Sequence, residues 1–272
     1  ELPDAFKVFL SRYFPAYIKK PGYTINDQDF SFLIKTKEVD SYVQLLDKKL
    51  RGFNNTVIQG NLHLSENQLN VIANVPDFSY DGKVFNNIRL DSKGDFDSLL
   101  TKIDVDDVTI NDSLHLPASN IILSSQEDLT DISIKTSASK TISGASINAQ
   151  VQTMKDGVKI HFSPSSLVIN DRKWELEKDG ELVLSKTQVS ASEVKFVQGT
   201  QEINIATEPS ETGNSNDIVI ELKKVSIDEL APIVIKTPRL EGLLTGKVKI
   251  SDPFGKPFIE TDAVLEKFGL DG

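Results

Sequence analysis

Apolar and polar residues alternate along most of this chain. Ile203-Asn-Ile205 and Ile218-Val-Ile220-Glu-Leu222 show the pattern, as do Ile147-Asn-Ala-Gln-Val151 and Val158-Lys-Ile160-His-Phe162. A period of two places apolar side chains on one face of a strand and Asn, Lys, Glu, Gln or His on the other. Antiparallel sheets with one wet face carry this signature. Asp81-Gly82, Asp156-Gly157 and Asp179-Gly180 punctuate the runs, because Asp-Gly supplies the positive φ of a tight hairpin. Gly213-Asn214 and Pro253-Phe-Gly-Lys-Pro257 mark longer loops. The punctuation predicts roughly sixteen to eighteen strands of about five to eight residues, joined mainly as a meander.

Helical patterning is scarce. Over residues 3–14, Phe6, Phe9, Leu10, Tyr13 and Phe14 recur at three- and four-residue spacing, with Pro3 and Asp4 suited to a first turn. This predicts an amphipathic helix that plugs a groove or covers a sheet edge; the alternative, a helix lying on a membrane, has only Lys7 and Arg12 against Asp4 to favour it. A second short helix is predicted near 40–50, capped by Asp40, with Tyr42, Val43, Leu45, Leu46 and Leu50 clustering. Ser226 and Glu229 stand three apart, the spacing of a capping box, and predict a helical turn.

One pattern recurs. Ile58-Gln-Gly60-Asn-Leu62-His-Leu64 and Leu244-Thr-Gly246-Lys-Val248-Lys-Ile250 stand 186 residues apart. Both follow a short helical signal. Each is followed by a second alternating run, Leu69-Asn-Val71-Ile-Ala73 and Ile259-Glu-Thr-Asp-Ala263. The second copy stops near the chain end and the chain opens on Glu1, so the sequence reads as a piece of a longer repetitive protein.

Three closures suit this many strands. A sandwich buries two inner faces and usually carries more aromatics. A transmembrane barrel needs longer strands and aromatic girdles, whereas Trp174 is the only tryptophan. The third is a long antiparallel sheet curled into an open groove, apolar inside. Aromatics make up only 7% of the residues, which favours a wall over a compact globe. Mostly β is therefore the predicted class, a β-taco or elongated jelly roll, with residues 1–23 as helix and linker and 24–272 as the groove. The predicted lining runs Ile58, Leu62, Leu64, Leu69 and Val71, then Ile132, Ile134, Ile147 and Val151. It continues through Ile160, Phe162, Trp174, Leu176, Leu182 and Leu184. Ile203, Ile205, Ile218, Ile220, Leu222, Val248 and Ile250 complete it. Such a hydrocarbon wall suits acyl chains. Trp174 reads equally as a packing anchor at a sheet bend.

Charge and chemistry narrow the function. Thirty Lys and Arg against forty Asp and Glu give a net charge of −10, unsuited to a nucleic-acid groove and to broad electrostatic docking on anionic lipid. Without cysteine there are no disulfides, thiolate metal sites or cysteine nucleophiles. His63, His115 and His161 are widely separated, and no nucleophile elbow or phosphate loop occurs. Asp104-Val-Asp-Asp107 lacks the spacing of a calcium loop and reads as a solvated turn. No cofactor is expected, and no enzyme. The longest apolar run, Leu230–Ile235, is too short to span a bilayer.

Ser163-Pro-Ser-Ser-Leu-Val-Ile-Asn170 followed by Lys173-Trp174-Glu-Leu176 resembles the translocation and assembly module (TamB) family in its Bacteroidota-like form. Val194-Lys-Phe196 with Gln201-Glu-Ile203-Asn-Ile205 looks like the next strand pair. Val225–Pro232 with Leu240-Glu-Gly242-Leu-Leu-Thr-Gly246 is similar to a repeated family element. The resemblance covers most of 24–272, and its motifs are degenerate. It implies kinship with AsmA-like and bridge-like lipid transfer proteins. Those are anchored in the inner membrane of Gram-negative bacteria, cross the periplasm as a β-groove and engage an Omp85-type outer-membrane barrel. The implied partners are phospholipid or another acyl-chain lipid, and the implied roles lipid transport and outer-membrane protein assembly. The family has no catalytic residues to carry over. From the residues alone, an extracellular β-sandwich that binds glycan or protein through its loops is the alternative.

Overall fold

The structure is a computed structural model, which describes residues 2–25, 27–110, 115–137, 142–177, 179–211, 215–229 and 239–271. It is mostly β, with antiparallel pairing throughout and a few short helices. Two compact units divide it, Glu1–Ser139 and Lys140–Gly272. The N-terminal helix shares a core with strands of the first unit.

The first unit contains helix α1 (Leu2–Leu10), strand β1 (Asp29–Lys35), helix α2 (Asp40–Leu46), and strands β2 (Leu50–Gly52), β3 (Val57–His63) and β4 (Gln68–Tyr80). Strands β5 (Lys83–Gly94), β6 (Leu99–Thr109), β7 (His115–Gln126) and β8 (Leu129–Ser137) follow as a meander. β1 pairs with β3, and β2 and β3 lie in succession along β4. Among the described residues of this unit the sheet is open, with β1 and β8 at its two ends.

Several strands run to thirteen residues, longer than their alternation suggests. The reason is a phase slip. Across β4–β7 the register is kept through Pro76, Asn87, Asp106 and Ala118, but these four positions drop out of the pairing. Inward residues are there three apart instead of two: Val75 and Phe78, Phe85 and Ile88, Val105 and Val108. Asn87 and Ala118 take left-handed backbone, at φ 50° and 42°. Pro76 has no N–H to lose from the ladder. The break between β2 and β3 continues the line, where Phe53 (φ 63°) donates its N–H to the Asp77 carbonyl at 2.9 Å. The line creases the strands while keeping one face apolar on both sides.

The second unit contains β9 (Ile142–Met154), β10 (Gly157–Ile169), β11 (Arg172–Leu176), β12 (Glu181–Ser185), β13 (Val189–Ser192) and β14 (Val194–Gln198). β15 (Gln201–Glu208), β16 (Asp217–Ser226), β17 (Arg239–Ser251) and β18 (Phe258–Asp271) complete it. β11 and β12 lie in succession along β10, with β14 and β13 beyond them. Asp179-Gly180 therefore joins collinear strands and turns no hairpin. Asp81-Gly82 and Asp156-Gly157 do sit at hairpins. Here too a crease runs across the strands, through the bulge after Ser163, the 177–180 break and Glu193 at φ 54°. Phe162 donates its N–H to the Gly180 carbonyl at 2.8 Å, and Glu177 to the Lys195 carbonyl at 2.9 Å.

Both recurring segments lie in the first strand of a hairpin, β3–β4 and β17–β18, each preceded by helical backbone, but in different register: Ala73 opposes Ile58, whereas Ala263 opposes Gly246. The second is not capped as a box. Ser226 donates its N–H to Gln201 Oε1 (2.6 Å), and Gln201 Nε2 donates to both Glu229 carboxylate oxygens (3.1 and 3.2 Å). Gln201 thus relays between the two residues. Arg172 closes the buried Glu229 at 3.0 Å. Likewise α2 is not capped by the Asp40 side chain. Asn54 Oδ1 accepts the N–H groups of Val39 (2.7 Å) and Asp40 (3.2 Å). Gly213-Asn214 and Leu230–Ile235 lie outside the described residues.

Candidate functional site: one apolar face in each unit

Directly opposed residues of antiparallel strands share a face, so register gives the composition of each face. In the first unit one row runs Ile34–Ile58–Ala73–Leu90–Ile103–Ile121–Ile134 across seven strands. Neighbouring rows on the same side add Leu62 against Leu69, then Val71, Leu123 and Ile132. The opposite face carries Arg89, Asp104, Asn120 and Lys135 in one row. Isolated apolar residues such as Ile72 interrupt that polarity.

In the second unit Leu176, Phe196, Ile203 and Leu222 oppose one another in turn. Beside them run Val194–Ile205–Ile220–Val248 and the pair Ile218–Ile250. Val151, Ile160 and Leu182 form a further row, with Phe162 and Leu184 two residues along and Ile147 at the same parity of β9. The other face holds Lys195–Asn204–Glu221–Lys247, laced by the Lys159–Glu181 and Lys247–Glu208 ion pairs at 2.7 and 2.9 Å. Exposed pairs of this kind add little stability, and they keep that face wet.

The predicted lining residues thus fall on one face per unit, but not equally open. Leu62 and Leu69 lie beneath α1, packed with Ala5, Phe9 and Tyr13. Leu64, just past β3, borders the same cluster. Trp174 (1% exposed) is packed with Leu167, Ile169, Phe196 and Val225, so it anchors packing and presents nothing to an open face. Leu176 is closed off beside Ala191 and Val194. The remaining lining residues are half-buried. α1 is a cover on the apolar face, seated on Gly94, where a Cβ would lie 2.5 Å from Phe9 Cζ. Tyr13 donates its hydroxyl to the Asp95 carbonyl, and Asn67 Nδ2 donates to that hydroxyl at 3.2 Å. Burial raises the Tyr13 phenol above its ordinary range. The N–H groups of Asp97 and Ser98 hold the Asp95 carboxylate below its own.

Sequence reasoning missed the stack of Phe53, Phe78 and Phe85 on this face, with centroids 5.2 and 4.7 Å apart. Phe78 falls three residues after Val75 and so breaks the alternation; that spacing was the available signal.

No three His, Cys, Asp or Glu side chains gather as a metal would need among the described residues. His63 Nδ1 lies 2.7 Å from Asp29 Oδ1, and His115 contacts Thr109 at 3.1 Å. Arg89 pairs with Asp106 at 2.6 Å, which lowers that carboxylate's pKa and makes Asp104-Val-Asp-Asp107 part of a strand face. Comparison with known protein families, curated proteins and solved structures gives no match.

Proposed function

We propose that the open part of each apolar face shields lipid acyl chains from water, without enzymatic chemistry. The chain would serve as a segment of a TamB-like conduit in the periplasm of a Gram-negative bacterium. Inner-membrane anchoring and contact with an Omp85-type barrel would fall to the full-length protein. The single observation that supports this is graded burial. Each face is apolar over many strands, yet residues such as Ile134, Ile205 and Ile220 remain half-buried where a sandwich core would close them. Burying a CH₂ is worth roughly 0.8 kcal/mol, and about half of that against an open wall, so an acyl chain gains enough to stay and little enough to slide. The face offers few polar groups to fix one headgroup. The opposite face is mainly polar, with Val219 and Asp217 of the second unit buried on it.

Photo-crosslinkers at Ile205 or Ile220 should capture phospholipid, while one at Asn204, on the opposite face and bonded to Glu221, should not. Equal labelling at the three positions refutes the reading and favours a β-sandwich binding module.

A further inference from the structure

α2 presents its apolar residues outward. Tyr42, Leu45 and Leu46 are 67%, 82% and 83% exposed, and no residue of the helix is buried. Spaced three and four apart, they share one face. The sequence predicts a cluster of Tyr42, Val43, Leu45, Leu46 and Leu50; in the structure Asp40, Val43 and Gln44 are the half-buried residues of the helix. The orientation is fixed rather than frayed. Asn54 holds the helix start, Asp40 Oδ1 accepts the Gly52 N–H at 2.6 Å, and Gln44 Nε2 donates to Asp40 Oδ2 at 2.9 Å. At the other end Asp47 Oδ1 accepts the Lys49 N–H at 2.8 Å.

The segment around α2 is basic in sequence, within an acidic protein, although Asp77 beside Gly52 and Asp81 of the β4–β5 turn lie against it. Residues 35–51 carry Lys35, Lys37, Lys48, Lys49 and Arg51, all exposed, against Glu38, Asp40 and Asp47. Lys49 also reaches Asp81 at 3.2 Å, an exposed pair that salt or a stronger anion can displace. Tyr80, opposite Leu50 in the β2–β4 pairing, extends the patch with another 44% exposed ring.

We propose that α2 and its flanking lysines dock on an anionic lipid bilayer. Three long apolar side chains on one turn are too few for a protein interface, which takes about 800 Å² per partner. They suit a bilayer, which accepts single apolar side chains at the acyl boundary while cations meet anionic headgroups. Tyr42 and Tyr80 fit the interfacial zone, apolar in body and polar at the tip. Binding is reversible and salt-sensitive, because both contributions are small. The patch shares no residue with the apolar rows described above, and the proposal does not depend on them.

The full 272-residue chain, floated with phosphatidylcholine vesicles containing phosphatidylglycerol, tests this. Binding should appear on anionic vesicles, be nearly lost on pure phosphatidylcholine, and weaken as salt rises. Leu45→Glu with Leu46→Glu should reduce it roughly tenfold or more, equivalent to at least about 1.4 kcal/mol. Both sites are exposed, so the fold should be kept, as circular dichroism can verify. Lys48→Gln with Lys49→Gln should weaken binding and flatten its salt dependence. Ile72→Glu, a control at an exposed residue of the polar face, should change nothing. Crosslinking at Ile205 should be unaffected by the α2 changes, so failure here is separable from failure of lipid capture. Equal binding to neutral vesicles, binding indifferent to the leucine changes, or a dimer abolished by them overturns the proposal.

Discussion

Leu62 and Leu90 lie on the same apolar face of the first unit, and truncating each to alanine should cost different amounts. Leu62 is fully buried, enclosed by Phe9 of α1, by Tyr13 just beyond it, and by Leu69 and Leu99. Leu90 sits between Ala73 and Ile103 in the open row and is half-buried. Leu→Ala removes three carbon groups. At about 0.8 kcal/mol each, full burial loses ~2.4 kcal/mol of transfer energy. The cavity under α1 adds to that, which puts Leu62→Ala at about 3–4 kcal/mol, inside the usual 2–5 range. At Leu90 about half the transfer energy is at stake, and a gap open to solvent leaves no sealed cavity, so the cost should be about 1 kcal/mol. Urea unfolding followed by hydrogen exchange on strands of this unit reads both, and exchange avoids assuming that the two units unfold as one. Equal losses at the two sites would refute the open-face argument, since a packed core treats both leucines alike.

Two further outcomes follow from the polar contacts. Tyr13 is held neutral by burial, with its pKa raised, so its contribution is complete below the ordinary phenol value of about 10 and is lost as pH climbs through the raised one. Hydrogen-exchange protection of α1 should therefore fall only in strong alkali, and Tyr13→Phe should remove that alkaline step; a step already present near neutral pH contradicts the assignment. Gln201→Leu should destabilise the second unit by about 2–3 kcal/mol, because it strips the Ser226 N–H and the buried Glu229 carboxylate of a partner at once. Adding Glu229→Leu should recover part of the loss in thermal unfolding, and strict additivity would dismiss the relay.

Alternation along the chain was enough to assign β class, antiparallel pairing and the identity of the apolar set, because a period of two fixes which residues share a face. Ile58, Ile134, Ile205 and Ile220 are legible on that ground alone. Strand lengths were not, since every crease interrupts the period. Val75 to Phe78 looks like the end of a run, yet β4 continues through it, as β5 does through left-handed Asn87, whereas left-handed Glu193 separates β13 from β14. Helix α1 was legible from its own stripe, and so was its role as a cover. Which residues it covers was not, because Leu62 and Ile58 have the same local pattern and differ only in lying beneath Phe9. Trp174 was likewise ambiguous until its neighbours from β14 and β16 were in place.

The sequence pattern of α2 left the direction of its apolar residues open. Tyr42, Leu45 and Leu46 cluster on paper, and only tertiary bonds from Asn54 and Gly52, distant in the helix's own terms, turn them to solvent. The sequence by itself determined two kinds of face, one apolar and one polar, through local periodicity. Tertiary structure decided how much of the apolar face stays open, because exposure depends on what packs across it. That packing is a long-range property no local period encodes.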